Sequence, residues 1–349
     1  MKSPYIGGHN NDQLCSQCNT AFALLLAVTF TMLPLIAEAQ DLLTRPDPAG
    51  TPTKVQILLA LLDIDEIDGA QQSFTANVYI RVRWQDPRLI ATAGTDRNIS
   101  LKQAWHPIIQ IINRQHLRTS FPEGLSVRKK GIIYQQRYWG QFSNPLSLRD
   151  FPLDQHNFEV RVVVANPVSE VQIVDFDDPK VKSTLADQLS IADWEIISWD
   201  TSIENYHLST GFRPLSSYVF HFTAKRKLGY YIVQVIIPLT LIVMMSWIVF
   251  WLTPSESGTQ ISIAITSVLT LIAYRFTIGN ELPHISYLTR MDVFLMGATI
   301  LVFGALLEAA LTSRFMNTGN LNLTVKMDWW SRIIFPLCFT GLISFAFLL

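Results

Sequence analysis

The apolar residues of this chain are concentrated in its last third. Up to about Lys227, apolar and polar residues alternate over short distances, whereas long apolar runs dominate from Leu228 onward. About 20 consecutive apolar residues suffice to cross a bilayer, while short-range alternation is typical of half-buried strands. The sequence therefore predicts a water-soluble domain at residues 40–227 and a membrane domain at residues 228–349.

Residues 1–39 have the features of a secretory signal peptide. Lys2 places a positive charge ahead of an apolar run from Ala21 to Leu35, and Ala37-Glu38-Ala39 matches a signal-peptidase site. The apolar run is short for a bilayer span. We therefore expect cleavage before Gln40 and export of the domain that follows. An uncleaved anchor helix is the alternative.

Charge, cysteines and motifs narrow the classes of function. The formal net charge is −1 and no basic stripe is interleaved with aromatics, so no nucleic-acid partner is expected. Cys15 and Cys18 lie in the predicted signal peptide, which leaves Cys338 alone and excludes an intrachain disulfide in the mature chain. No Gly-x-Ser-x-Gly elbow, His-Glu-x-x-His helix or P-loop occurs, so neither an enzyme nor a cofactor is expected.

The segment from Phe74 to Trp84 shows the clearest strand pattern, because apolar residues alternate with polar ones. The predicted core face comprises Phe74, Ala76, Val78, Ile80, Val82 and Trp84. Further strands are predicted at Val55–Leu62, Gly131–Tyr138, Phe158–Val164, Trp194–Trp199 and Tyr218–Thr223. Many short strands at this spacing predict an all-β, immunoglobulin-like sandwich of two antiparallel sheets.

Four membrane-spanning helices are predicted in the membrane domain. Their approximate bounds are 228–252, 260–278, 292–312 and 331–349. With a cleaved signal peptide, the linker from Ser313 to Trp330 would lie in the cytoplasm. The second helix carries many polar side chains for a helix surrounded by lipid, so we expect it to face water or protein.

Within the second helix, five residues recur at helical spacing and form one stripe. They are Ser262, Thr266, Leu269, Ala273 and Phe276. In a ring of copies, the hydroxyls would replace part of an ion's hydration shell, while rings of Leu269 and Phe276 would block ions by dewetting. The alternative is that these hydroxyls merely join helices. Glu256, just before the helix, would add a ring of carboxylates at the cytoplasmic mouth, or is simply a solvated loop residue.

Several short motifs, in this order and ahead of four spans, resemble the pentameric ligand-gated ion channels, a family that includes nicotinic acetylcholine receptors. The motifs are Trp84-Gln85-Asp86, Trp105-His106-Pro107, Phe151-Pro152-Leu153-Asp154, Arg226, Pro238 and Asn280-Glu281-Leu282-Pro283. The resemblance covers nearly all of the mature chain. It implies a homopentamer in contact with membrane lipids, opened by a small-molecule agonist bound between receptor domains.

Two departures from the family pattern bear on the branch and on ion selectivity. Asn144 and Phe158 occupy the positions of the family's disulfide, which is similar to the bacterial branch and implies a bacterial inner-membrane protein. Thr259-Gln260 replaces the glutamate and basic residue of cation-selective members, and the Pro-Ala-Arg of anion-selective members is also lacking. Glu256 matches an outlying acidic ring, so a preference for monovalent cations is expected.

The resemblance also implies the ligand-binding and coupling residues. The ligand would contact aromatic side chains and neighbouring polar groups at Tyr79, Tyr134, Gln136, Tyr206 and Phe212. Tyr206 and Phe212 have an alternative role as surface loop aromatics. Coupling between the domains would use Asp68, Asp154, Arg226 and Pro283, with Asp68 and Asp154 as candidate partners of Arg226. A purely structural role for Arg226 is the alternative.

Two hypotheses from different classes follow. The first is a pentameric ligand-gated ion channel, in which agonist binding shifts a closed-to-open equilibrium. The second is a non-conducting sensor that signals through its four helices to a cytoplasmic partner. The short cytoplasmic linker favours the channel.

Overall fold

The computed structural model describes residues 42–47, 50–90, 96–178, 180–209, 211–253, 256–279 and 285–348, so the predicted signal peptide lies outside it. The strands are β1 Thr53–Asp68, β2 Ser73–Trp84, β3 Arg97–Ile99, β4 Ile109–Ile111, β5 Arg114–Thr119, β6 Leu125–Arg128, β7 Gly131–Ser143, β8 Gln155–Pro167, β9 Val171–Val174, β10 Thr184–Leu185, β11 Trp194–Tyr206 and β12 Leu215–Arg226. Short helical turns occupy Pro87–Ile90, Leu101–Gln103 and Leu148–Asp150.

The strands form the predicted sandwich of two sheets. The larger sheet has the order β10-β1-β2-β7-β6-β3, with β5 also on β7 and β9 also on β1. The smaller sheet has the order β11-β12-β8-β4. Most pairs are antiparallel, but β9 and β10 pair with β1 in parallel, which the sequence pattern did not predict.

The alternation along β2 decides which residues enter the core. All six residues predicted on its core face are buried. At the centre, the ring of Phe74 stacks on Phe142 and meets Phe158 and Phe222 edge-on, with centroids 5.2–5.4 Å apart. Such aromatic pairs add stabilisation beyond their buried area. The prediction of a β-sandwich is therefore confirmed.

Hydrogen bonding and packing hold together the loop between Asn144 and Phe158, the two positions to which the resemblance assigns a disulfide. The side-chain Nδ2 of Asn144 donates to the carbonyl oxygen of Asn157 at 2.9 Å. The adjacent Phe158 is buried and stacks on Phe222. A buried amide bonded to backbone is worth about 1 kcal/mol, so the loop depends mainly on the aromatic core for its position.

Four long helices follow the sandwich. They are α1 Gly229–Trp251, α2 Ser257–Ile278, α3 Arg290–Asn317 and α4 Leu321–Phe347. All four are long and apolar enough to cross a membrane. The prediction that Ser313–Trp330 forms a linker is wrong, because α3 continues to Asn317 and α4 begins at Leu321. Hydropathy marks only the lipid-buried part of a helix, whereas its backbone hydrogen bonds continue into water.

A proline sets the local geometry of α1. Pro238 has no backbone N–H, so the carbonyl of Gln234 four residues earlier loses its helical donor. The segment Ile232–Ile236 is a π-helical turn. The hydroxyl of Tyr274, from α2, donates to the carbonyls of Gln234 and Val235 at 3.0 and 2.9 Å. The pore-helix candidate is thereby attached to the irregular turn of α1.

The two domains share apolar packing at their boundary. Leu148 and Phe151 belong to the turn between β7 and β8, yet both are buried in the apolar cluster of the membrane helices. The carbonyl of Phe151 also accepts from the backbone N–H of Met291 in the first turn of α3, at 3.2 Å. This turn of the sandwich is therefore a structural part of the helical bundle.

Candidate pore and coupling sites

The predicted pore stripe lies on the exposed face of α2. All five of its residues are exposed in the single chain, and Leu269 and Phe276 are 61% and 80% exposed. The opposite face of α2 is buried against α1 and α3 through Ala264, Val268 and Leu271. The stripe is therefore available to line a pore or to meet another chain.

The threonine hydroxyls of α2 donate their protons to the helix itself. Thr266 donates to the carbonyl of Ser262, and Thr270 donates to that of Thr266, each at 2.8 Å. A hydroxyl that donates inward keeps its oxygen lone pairs as acceptors. The exposed surface at this level of α2 therefore offers oxygen atoms that suit a cation.

Glu256 occupies the N-cap position of α2. Its side chain is exposed and makes no capping hydrogen bond. A carboxylate at this end is favoured by the positive end of the helix dipole. Its position allows a charged ring at the cytoplasmic end of the stripe.

At the domain boundary, Arg226 forms a buried ion pair with Asp154. Nε and Nη2 of Arg226 donate to the two carboxylate oxygens at 2.8 and 3.0 Å, while Asp154 and Arg226 are only 2% and 9% exposed. A two-point guanidinium–carboxylate pair fixes both distance and orientation. Of the two candidate partners, the structure pairs Arg226 with Asp154.

Further side chains complete this pair, and sequence reasoning did not single them out. His156 Nε2 lies 2.8 Å from Asp154 Oδ2. The guanidinium of Arg226 lies over the ring of Trp194 at 4.2 Å and near the ring of Tyr231, whose hydroxyl accepts from Nη1 at 3.4 Å. Tyr231 belongs to α1. The pair thus connects the end of the sandwich to the first membrane helix.

The charged form of Asp154 is strongly favoured. Burial alone would raise its pKa, but hydrogen bonds from His156 and Arg226, with the charge of Arg226, outweigh burial and lower the pKa to about 2. The carboxylate is therefore ionised at every physiological pH.

Several contacts surround this pair and attach the β7–β8 turn to the membrane domain. The backbone N–H of Leu148 donates to the hydroxyl of Tyr287 at 2.8 Å, and Arg290 Nε donates to Asp150 at 2.8 Å. The end of β1 also touches this turn, since a Cβ added to Gly69 would lie 2.9 Å from the side chain of Leu148. The β1–β2 loop, the turn and α3 therefore meet at one point.

The other two predicted coupling residues are not part of this pair. Asp68 lies at the end of β1, and its Oδ1 accepts from the backbone N–H of Gln71 at 2.9 Å. Pro283 lies outside the described residues. Their part in coupling stays a prediction.

Tyr79 lies on the outer face of the larger sheet. Its hydroxyl donates to Gln135 at 2.9 Å, its ring meets Phe121 edge-on at 6.3 Å, and the guanidinium of Arg81 lies 5.8 Å from the ring centroid. Arg81 forms no ion pair within the described residues. Arg81 Nε also donates to the Tyr79 hydroxyl at 3.1 Å. A guanidinium that pairs with no carboxylate among the described residues therefore accompanies the predicted ligand-binding aromatic.

Tyr134 and Gln136 lie on the opposite face of the same sheet. They pair with Val82 and Ile80, which point into the core, so within one chain they do not share a face with Tyr79. Their contact with a ligand stays a prediction. Gln136 is fully buried, and its amide binds both the N–H and the carbonyl of Phe121 at 2.8 and 2.9 Å. Gln136 therefore positions the segment that carries the Phe121 ring beside Tyr79.

Tyr206 is the last residue of β11 in the smaller sheet, and Phe212 lies on the connection from β11 to β12. Phe212 is exposed, and Arg161 lies over the Tyr206 ring at 5.9 Å while forming ion pairs with Glu159 and Glu204. Hydrogen bonds from Ser202 and then Arg161 lower the pKa of Glu204. These aromatics and Tyr79 are on different sheets, so no single cluster contains all of them in one chain.

Comparison with known protein families covers both domains. Residues 33–228 match the neurotransmitter-gated ion-channel ligand binding domain, and residues 235–335 match the neurotransmitter-gated ion-channel transmembrane region. Proteins of this family form oligomers, conduct ions and are not enzymes. This chain therefore belongs to the neurotransmitter-gated ion-channel family, with an extracellular ligand-binding domain ahead of its membrane helices.

Proposed function

We propose that five copies of this chain form a ligand-gated channel in the inner membrane of a bacterium, with α2 of each copy lining the pore. The observation that carries the proposal is the exposed, hydroxyl-bearing stripe of α2. A polar helix face is costly in lipid and is stable against water or protein. Five such faces around an axis enclose a water-filled path, which rings of Leu269 and Phe276 close by dewetting.

The rival function is a non-conducting sensor that passes its signal to a cytoplasmic partner. Only Thr318–Asn320 connects α3 to α4 on that side. So short a connection leaves a partner protein little surface to bind. The shortness of this connection favours the channel over the sensor.

We infer a preference for monovalent cations. The Thr266 and Thr270 hydroxyls donate to their own helix and present oxygen lone pairs, which replace the hydration of a cation. Glu256 adds negative charge at the cytoplasmic end, where a ring of five carboxylates raises the local cation concentration.

The agonist site is proposed between neighbouring receptor domains. Tyr79 belongs to the larger sheet, whereas Tyr206 ends a strand of the smaller sheet and Phe212 follows it on the next connection. A second copy of the chain would bring the two sets together. Arg81 lies beside Tyr79 without an acidic partner among the described residues. This favours an agonist with an anionic group, such as an amino acid, over a simple amine.

Gating is proposed to pass through the Arg226–Asp154 pair. Agonist binding favours the receptor conformation that goes with an open pore. The pair lies where β8, β12 and α1 meet, next to the turn that packs among the membrane helices. A two-point buried pair transmits a displacement of the sandwich because it holds both partners at fixed geometry.

Recording from purified protein in planar bilayers tests the function directly. Small amines, amino acids and acid are applied in turn on the receptor side. We expect cation currents evoked by an amino acid. Silence under every condition, including in a Leu269→Ser variant, would favour the sensor. Native mass measurement of the solubilised complex tests the assembly, and a stable monomer or dimer would contradict the pentamer.

A further inference from the structure

A buried polar cluster connects α3 and α4 far from the receptor domain. Its centre is Glu308 of α3 and Asp328 of α4, which are only 8% and 3% exposed. Glu308 lies 18 residues (308 − 290) beyond Arg290, which is about 27 Å along the helix. Arg290 contacts the receptor domain, so the cluster lies near the cytoplasmic surface of the membrane.

The two carboxyl groups are adjacent, and the described residues supply them with few hydrogen-bond donors. Ser331 donates to Glu308 Oε1 at 3.1 Å, and Thr312 donates to Asp328 Oδ1 at 3.5 Å. Glu308 and Thr312 are one turn apart on α3, as are Asp328 and Ser331 on α4, so these two crossed hydrogen bonds place the carboxyl groups beside each other. The other oxygen of Glu308, Oε2, is buried and accepts no hydrogen bond from the described residues.

Among the described residues, Arg332 is the one cation close enough to affect the charge of Asp328. Its guanidinium is bonded to α1 and not to either carboxyl group. Its Nε donates to the carbonyl of Phe250 at 2.8 Å, and its guanidinium lies 5.7 Å from the ring centroid of Trp251. It forms no ion pair with Glu308 or Asp328 within the described residues. At this end, α1 contributes that carbonyl and ring and no ionisable side chain.

Two adjacent buried carboxylates without a paired cation are unstable, because each charge loses hydration and they repel each other. One proton between them removes one charge and gives Oε2 its missing partner. Arg332, one helical turn beyond Asp328 on α4, makes the single remaining charge less costly without pairing with it. A calcium ion would need six to eight oxygen ligands, whereas this cluster offers two carboxyl groups and two hydroxyls that already donate.

We propose that Glu308 and Asp328 form a proton-binding site that holds one proton between two carboxyl groups and makes the packing of α4 on α3 depend on cytoplasmic pH. The proposal does not rest on the proposed ion selectivity or agonist. When the proton leaves at high pH, two adjacent negative charges repel each other and weaken the packing of α4 on α3. The folded protein binds a proton that the unfolded chain releases at neutral pH, so stability falls as pH rises.

The test is the apparent thermal unfolding midpoint of the full-length solubilised protein at several pH values. Between about pH 5.5 and about pH 8, we expect the midpoint of the wild type to fall by roughly 2–4 °C more than the midpoint of Glu308→Gln. The glutamine amide donates permanently in place of the proton, so this variant should lack that component. Glu195→Gln, an exposed carboxylate on β11, is the matched control and should behave like the wild type.

An equal pH slope in wild type and Glu308→Gln would overturn the proposal. A wild-type midpoint raised by calcium or magnesium ions but not by acid would overturn it in favour of a metal site. Infrared spectra of the wild type in membranes at about pH 7 provide a second measurement that does not need the variant to fold. A carboxylic-acid C=O band that disappears on alkalinisation is expected, and absence of the band would overturn the proposal.

Discussion

The domain junction and the pore stripe differ in how many contact partners a single chain provides for their side chains. At the junction, Asp154 accepts from both Arg226 and His156, and aromatic rings cover the guanidinium. On α2, Leu269 and Phe276 are among the most exposed apolar side chains described. The junction is therefore complete within one chain, whereas the stripe needs water or neighbouring copies. Variants at the junction should affect folding and coupling, while variants in the stripe should affect only function.

The largest effect is expected at the ion pair. Asp154→Asn leaves the buried Arg226 guanidinium without its carboxylate, and Arg226→Gln leaves buried Asp154 with only its contact to His156. Each change should lower the free energy of unfolding by about 3 kcal/mol or more. Denaturant unfolding of the purified protein measures this loss. Gating by agonist should also fail, while agonist binding is largely kept.

The exposed pair of Arg290 and Asp150 provides the matched control for that prediction. Asp150 is 62% exposed, so Arg290→Gln should cost less than about 1 kcal/mol. The Asp154→Asn, Arg226→Gln double variant should lose less stability than the sum of the two single variants. Strict additivity, with agonist binding lost in both single variants, would mean that the pair holds the fold together without transmitting the signal.

Acid should also destabilise the domain junction. The lowered pKa of Asp154 determines that stability falls as the pH falls. This pKa is lowered from 3.8 to about 2 in the folded chain. A lowered pKa contributes stability that is fully present above the unfolded value and is lost as pH falls through the folded value. Wild type should therefore lose stability between about pH 4 and about pH 2 through this group. Asp154→Asn should lack this component, and an identical acid profile in both proteins would contradict it.

In the pore stripe, Leu269→Ser should open the channel without agonist. A polar ring rewets the constriction and favours the conducting state. We expect the ratio of open to closed channels to rise roughly tenfold, a change of about 1.4 kcal/mol, with unchanged unfolding. Phe276→Ala should act in the same direction. Single-channel recording measures both, and Ile300→Ser on the equally exposed surface of α3 is the control.

The smallest effect is expected from Glu256→Gln at the cytoplasmic end of α2. Losing one carboxylate per chain should lower cation conductance by up to about twofold and weaken discrimination against anions. Reversal potentials in a salt gradient measure this, with Asp200→Asn on exposed β11 as the control. Unchanged conductance and reversal potential would place Glu256 off the ion path.

The local periodicities of the chain were sufficient to predict six of the twelve described strands, the four long helices and the faces of β2 and α2. Alternation in β2 predicted its core residues, and the spacing of the α2 stripe predicted which side chains share one exposed face. Both patterns depend on side-chain directions within a single strand or helix. The domain order and the four spans followed in the same way from the distribution of apolar residues.

Only the tertiary structure decided which side chains from distant parts of the sequence lie next to each other. Arg226 had two candidate partners in the sequence, and the antiparallel pairing of β8 with β12 places Asp154 beside it. The register between β2 and β7 placed Tyr134 and Gln136 on the core face, because a shift of one residue reverses every side chain of a strand. The contact between Glu308 and Asp328 likewise left no local signal, since it exists only where two helices meet and exclude water.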